Sequence, residues 1–443
     1  MIPAAPRPAC PPQPACAFEW AAARDRDPVV DRYRRLFAQL DWRQVPDPDP
    51  WGPRPGRLGH PPAAYVKALL VKLEEGKPYI TDLRRYLVEH PLLVLELGFH
   101  PVVDPTQPCG FDVARTVPGA RWLRHQQQTL DPALLSRLLA GTVRAVQAAV
   151  PDLGTTMAVD VKHLYAWVAE NNPTAMRPHR FDPARPPRGD PDCRLGVKRR
   201  ANTAGAPVKE YLWGYGSGIA TATDPRCGDV VLAEVTQPFH HQDVTVYHPV
   251  YAQATAHLGH PPTNVAADAA FDAWHVYQTC AAPPVGTGGI AAIARNRRGP
   301  APPRDAAGRP LCDRGLAMTP GRVFRQADGF PAQDHHCPLR RPIPTGETCP
   351  DPRFAAGGCH KVVNLAPGGL LRAQLDRATP AFQAVYRQRT SAERINSQAA
   401  ALGIDRPKVR RMAAVQRLAT LTYVVINAHV LDRLHDQTPP GLC

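Results

Sequence analysis

Three acidic residues of the 443-residue chain stand where a carboxylate can do chemistry. Asp160 closes the short β-type run of "MAVDVKH", and Asp268 closes another in "NVAADAAF". Glu393 lies in "YRQRTSAERINSQ", where Tyr386, Arg389 and Glu393 follow at steps of three and four. At 100° per residue these three fall within an arc of about 60° on a helix. Val385, Ala392, Ile395 and Ala399 form the neighbouring apolar stripe, so a phenol, a guanidinium and a carboxylate border a buried face. Polar residues at strand ends of open sheets often face a site rather than the core. Each has a plainer role as well. A strand-end Asp can cap the next helix, a role open to Asp268, and Arg389–Glu393 alone is an i,i+4 pair worth tenths of a kcal/mol. Taken together, the three point to a site. Converging carboxylates repel unless cations neutralise them. Mg²⁺ or Mn²⁺ suits such oxygen ligands, and two such ions about 4 Å apart activate a nucleophilic oxygen and stabilise the leaving oxygen of a phosphodiester.

The charge balance agrees with that chemistry. Lys and Arg number 53 against 39 Asp and Glu, a net charge of +14, which favours a polyanionic partner: nucleic acid first, an anionic membrane second. From Arg377 to Arg417 nine Lys or Arg face only Glu393 and Asp405. Arg394, Lys408, Arg410 and Arg411 there, and Lys198 in "VKRR", are candidate DNA-phosphate ligands. Such contacts are salt-dependent and largely indifferent to sequence. "HHCPLRRPIPTGETCPDPRFAAGGCHK" holds Cys337, Cys349, Cys359 and His360. These, with Cys312, form a candidate structural zinc set without a Cys-x-x-Cys pair; reduced free thiols are the alternative. No run of eighteen apolar residues occurs, which argues against a membrane span. "MIPAAPRPACPPQPACAF" lacks an apolar h-region. The expectation is a cytoplasmic protein, and an odd count of 11 Cys argues against a complete disulfide framework.

The elements that must position these residues read as α/β. Residues 1–24 form a Pro-rich tail expected to be disordered. Residues 25–150 repeat apolar positions at helical spacing, as in "VVDRYRRLFAQLDW" and "PAAYVKALLVKLEEG". From 151 to 297, runs such as "EYLWGYGSGIATATD" and "DVVLAEVTQ" give way to alternating helix and strand, the pattern of a mixed sheet flanked by helices. Residues 298–375 read as an irregular Cys-, His-, Pro- and Arg-rich insertion. Two helices close the chain over 376–435, the first running unbroken through Glu393.

Asp160, Asp268 and Glu393, in this order and with this helix, resemble the Asp-Asp-Glu triad of bacterial insertion-sequence transposases. The family's helix signature is Tyr, two residues, Arg, three residues, Glu, six residues, Lys. Tyr386, Arg389 and Glu393 match, while Ala400 stands where the Lys is expected. "GDPDCRLGVKRR" is similar to the family's Asp-x-Asp-Ala-x-x-Gly-x-Lys stretch, with Cys193 for Ala. The resemblance implies an RNase H-like catalytic core behind an all-α, DNA-binding N-terminal domain. It implies Mg²⁺ or Mn²⁺ held by Asp160, Asp268 and Glu393, and a homodimer on double-stranded DNA. Arg389 would then bind a phosphate or hold Glu393 ionised, and Tyr386 would stack on a base or bond a phosphate. Two readings stand beside it: a DNA-binding protein that has lost catalysis, and a nuclease that cuts without joining strands.

Overall fold

The computed structural model describes residues 19–45, 59–201, 207–296, 303–327 and 329–437. Residues 1–18 of the expected tail lie outside them, and Trp20–Asp25 is already helical. That helix, α1, is followed by α2 (Pro28–Ala38), α3 (Pro62–Glu74), α4 (Ile80–Glu89), α5 (Pro91–Glu96), α6 (Val113–Thr116), α7 (Ala120–Thr129) and α8 (Pro132–Ala149). Local chemistry sets their starts. Asp27, Asp112 and Asp131 accept backbone N–H groups as N-caps of α2, α6 and α8, and proline opens α2, α3, α5 and α8 where its missing N–H costs nothing.

The main sheet is mixed. β1 (Thr156–Tyr165) lies between β3 (Pro207–Asp224), antiparallel to it, and β5 (Asn264–Ala267), parallel to it; β6 (Ala291–Ile293) pairs parallel with β5. The first part of β3 carries β2 (Arg194–Ala201) and the later part carries β4 (Gly228–Pro238), both antiparallel. On β1, Met157, Val159 and Val161 pack with helices α9 (Tyr247–Leu258) and α10 (Trp274–Gln278) in one core. Ala158 and Leu164 belong to a second core on the opposite face. It runs on through α13 (Thr390–Ala401), α14 (Met412–Gln437) and the helices of residues 28–138. The N-terminal helices therefore share a continuous apolar core with the sheet.

Two expectations need correction. The segment 298–375 is not irregular throughout. β7 (Thr319–Arg325), β8 (Pro331–His336) and β9 (His360–Asn364) form a separate three-stranded antiparallel sheet, followed by α11 (Pro367–Gln374). β7 is largely exposed, so its sequence shows no apolar alternation. The closing helices are three, because α12 (Pro380–Arg387) ends before α13 begins. There the Gln388 and Arg389 N–H groups bond Val385 and Tyr386, three residues back, and the Thr390 hydroxyl bonds the Arg387 carbonyl. A side chain thus competes for the helical acceptors and tightens the turn.

Candidate active site

β1 and β5 pair in parallel through Val159 and Ala267. Asp160 and Asp268 are the next residue on each strand, so main-chain register sets them side by side where that pairing stops. The sequence reading that Asp160 ends its strand is corrected: β1 continues to Tyr165 along its other edge, against β3. Asp268 also caps the short turn after β5, accepting the Ala270 N–H at 2.9 Å. The plainer role foreseen for it is therefore real and coexists with its position beside Asp160.

Helix α13 is fixed over this spot by polar contacts to three strands. Buried Ser391 bonds the Thr221 hydroxyl of β3 at 2.8 Å. Arg394 grips Asp229 of β4 through two bonds of 2.6 Å. Asn396 donates to Asp160 Oδ2 at 2.9 Å. Arg394 is thus tied to the fold rather than left free for a phosphate. The stripe Val385, Ala392, Ile395 and Ala399 is buried as its spacing predicted.

Glu393 is exposed on the outer side of this helix and turned to Arg389, Oε1 to Nη1 at 2.7 Å. The Arg389 guanidinium lies 5.7 Å from the centre of the Tyr386 ring, which stacks on Phe382. Its Nε is buried without a hydrogen-bond partner. Among the described residues no group of three or more His, Cys, Asp or Glu is spaced to hold a metal ion; Asp160 and Asp268 adjoin, and Glu393 is drawn to the guanidinium instead.

The electrostatics connect these groups. Burial pushes the Asp160 carboxyl up to about 6. Asp268 and Asp243 push it the same way, while the Val161 N–H and Arg389 pull it back. The Asp268 carboxyl is raised too, by burial first and then by Asp243 and Glu393, against Ala270 N–H and Arg389. Asp243, just before α9 and 3.8 Å from His163, is a further member that sequence reasoning missed. It follows no strand run and carries no spacing signal. Half-buried carboxylates that hold their protons through burial first, and through one another's charge second, suit hard, oxygen-seeking cations. Each Asp160 oxygen accepts one N–H and keeps a second acceptor direction for such an ion.

The basic candidates lie elsewhere. Lys198 is half-buried on β2, opposite Glu210 in the strand register. Lys408, Arg410 and Arg411 occupy the loop before α14, not a helix. Asp190 and Asp192 of "GDPDC" hold that loop: Asp190 accepts the Arg411 N–H and the Tyr215 hydroxyl, and Asp192 accepts the Met412 N–H. The Asp-x-Asp stretch therefore anchors the start of α14. Of the zinc candidates, Cys337 and Cys359 are buried with Cys312, Met318 and Leu339, and Cys349 packs beside them. His360 turns away, 3.4 Å from Asp334. No helix among the described residues is long and apolar enough to cross a membrane.

Scans against protein-family models and curated proteins find no match for the chain.

Proposed function

We propose that this protein is a DDE-type DNA transposase, an RNase H-like polynucleotidyl transferase that cuts DNA at transposon ends and joins them to target DNA. The observation that carries this reading is the adjacency of Asp160 and Asp268 at the end of the β1–β5 pairing, under helix α13, whose Asn396 bonds Asp160 and whose Glu393 is paired with Arg389. Three antiparallel strands continuing into two parallel ones support an RNase H-like core, and the N-terminal helices supply the DNA-binding part. The net charge of +14 supports double-stranded DNA as the partner, engaged by a homodimer.

Asp160 and Asp268 would hold Mg²⁺ or Mn²⁺, joined by Glu393 once it parts from Arg389. When bound, such ions activate the attacking oxygen and stabilise the leaving one. The chain's own groups do the rest. Asn396 and the Val161 N–H fix the Asp160 carboxylate. Ser391 and Arg394 fix the helix that carries Glu393. Arg389, parted from Glu393, offers a planar fork to a phosphate next to the reacting bond. The reading is tested by incubating purified protein with Mn²⁺ and DNA carrying the sequences on both sides of its gene, where the reading expects inverted repeats. Strand nicking at the repeat ends followed by joining to a target plasmid is expected; binding without nicking would contradict it. Nicking without joining would leave a nuclease, and the Glu393–Arg389 pair favours one further reading, a DNA-binding protein without catalysis.

A further inference from the structure

A second feature lies at the far end of β1, where three distant segments bring aromatic rings and cations together. Tyr165 ends the strand, Trp167 follows it, Tyr79 precedes α4, and the loop before α14 supplies Arg406, Lys408 and Arg410. The Arg410 guanidinium lies 4.7 Å over the Trp167 ring and its Nε donates to the Trp167 carbonyl at 3.1 Å. Arg406 lies 4.9 Å over Tyr165, Lys408 5.9 Å from Tyr79, and the Tyr79 and Trp167 rings are 6.0 Å apart. A cleft of about 420 Å³ is lined by Tyr165, Trp167, Arg406, Lys408 and Arg410, with Tyr79 beside Trp167 outside that lining. A second cleft, of about 480 Å³, shares Val168, Ala169 and Arg410 with it and adds Arg177, Arg180 and Arg188, with Glu170 as its one carboxylate.

Arginine on an aromatic ring is common surface packing. Two observations argue for more here. Among the described residues no carboxylate lies within ion-pair distance of Arg177, Arg188, Arg406, Lys408 or Arg410. The loop is also held in one shape at a cost: Arg411 has φ +76°, Asp405 is pinned by Lys162 at 2.7 Å, and the Asp405 carbonyl accepts the Tyr165 N–H. Trp167 and Tyr79 keep 37% and 42% of their surface exposed, so part of each ring stays open beside the cation that lies over it.

We propose that this double cleft binds an unpaired stretch of DNA strand, with bases stacking on Trp167 and Tyr79 and phosphates on Arg410, Arg406, Arg177 and Arg188. Aromatic faces beside unpaired cations are the chemistry of single-strand binding. A cleft of this size admits small-molecule-sized groups, not a duplex. Five residue steps along β1, about 17 Å, separate Tyr165 from Asp160, the length of about five stacked nucleotides. This rests on the DNA reading of the carboxylate site: a strand opened there would reach the cleft along β1.

The test is fluorescence anisotropy with a labelled 15-nucleotide oligothymidylate and a mixed-sequence duplex of equal length, both without divalent metal. Trp167→Ala weakens single-strand binding about tenfold and duplex binding less than about twofold, whereas Trp167→Phe stays within about threefold of wild type on both. Tyr79→Ala carries the same expectation if Trp167→Ala fails to fold. Equal losses on single strand and duplex, or no loss on either, would overturn the proposal. The two readings therefore fail separately: a protein that never nicks DNA but loses single-strand binding in Trp167→Ala keeps the cleft and loses the transposase assignment, and the reverse pattern does the opposite.

Discussion

Asp160 and Glu234 lie in the same row of the sheet, each paired in register with Ile219, and face opposite demands. They are two strands apart, about 10 Å, on the face covered by α13 and α14. Glu234 is 1% exposed, yet Ser217, Thr236 and Thr420 all donate hydroxyls to it. Burial still pushes its carboxyl up to about 7, with those hydroxyls pulling it back. Asp160 is only half-buried, and Asp268 and Asp243 add like charge where Glu234 has neutral donors. Burial alone does not tell a structural acid from a functional one. The neighbours do: hydroxyls satisfy a carboxylate within the protein, whereas carboxylates leave it in need of a cation.

Substitutions at the two positions should separate them sharply. Asp160→Asn removes a proposed cation ligand and should lower single-turnover DNA cleavage by about 10³-fold or more. Glu234→Gln should leave cleavage within about twofold; a large loss there would erase the distinction between the two acids. Asn396→Ala frees the Asp160 carboxylate to rotate and should cost about 10- to 100-fold in cleavage or metal affinity, with little change in melting temperature.

Smaller effects concern stability. Glu234 holds its proton to higher pH folded than unfolded, so the unfolded chain loses its proton first. Stability should fall as pH rises from about 4.5 to about 7. In Glu234→Gln that slope should become shallower, the raised Asp160 carboxyl keeping part of it, with Tm raised by a few degrees at pH 8 and unchanged at pH 4. Least of all, Arg394→Ala should cost about 1 kcal/mol in urea unfolding, since Arg394 is half exposed and solvent screens its pair with Asp229. Asp229→Asn in the same background should add little, because the two act as one unit.

Much of the scaffold was legible because it obeys simple periods. The helices up to Ala149 and the buried stripe Val385, Ala392, Ile395 and Ala399 follow the 3.6-residue repeat. Asp160 and Asp268 stood out by following short apolar runs. The helix break at Arg389 was hidden because Thr390 looks like an ordinary surface residue until its hydroxyl meets the Arg387 carbonyl. The grip of Asn396 on Asp160, 236 residues away, has no local signal. Nor does the anchoring of α14 by Asp190 and Asp192, which depends on long-range packing.

The most direct measurement is Mn²⁺ binding followed by electron paramagnetic resonance on purified wild-type, Asp160→Asn and Glu234→Gln proteins. Saturable binding by wild type and Glu234→Gln, lost or weakened at least about tenfold in Asp160→Asn, is the expected result. Equal binding by all three, or none by wild type in the presence of DNA, would contradict a cation site at Asp160 and Asp268.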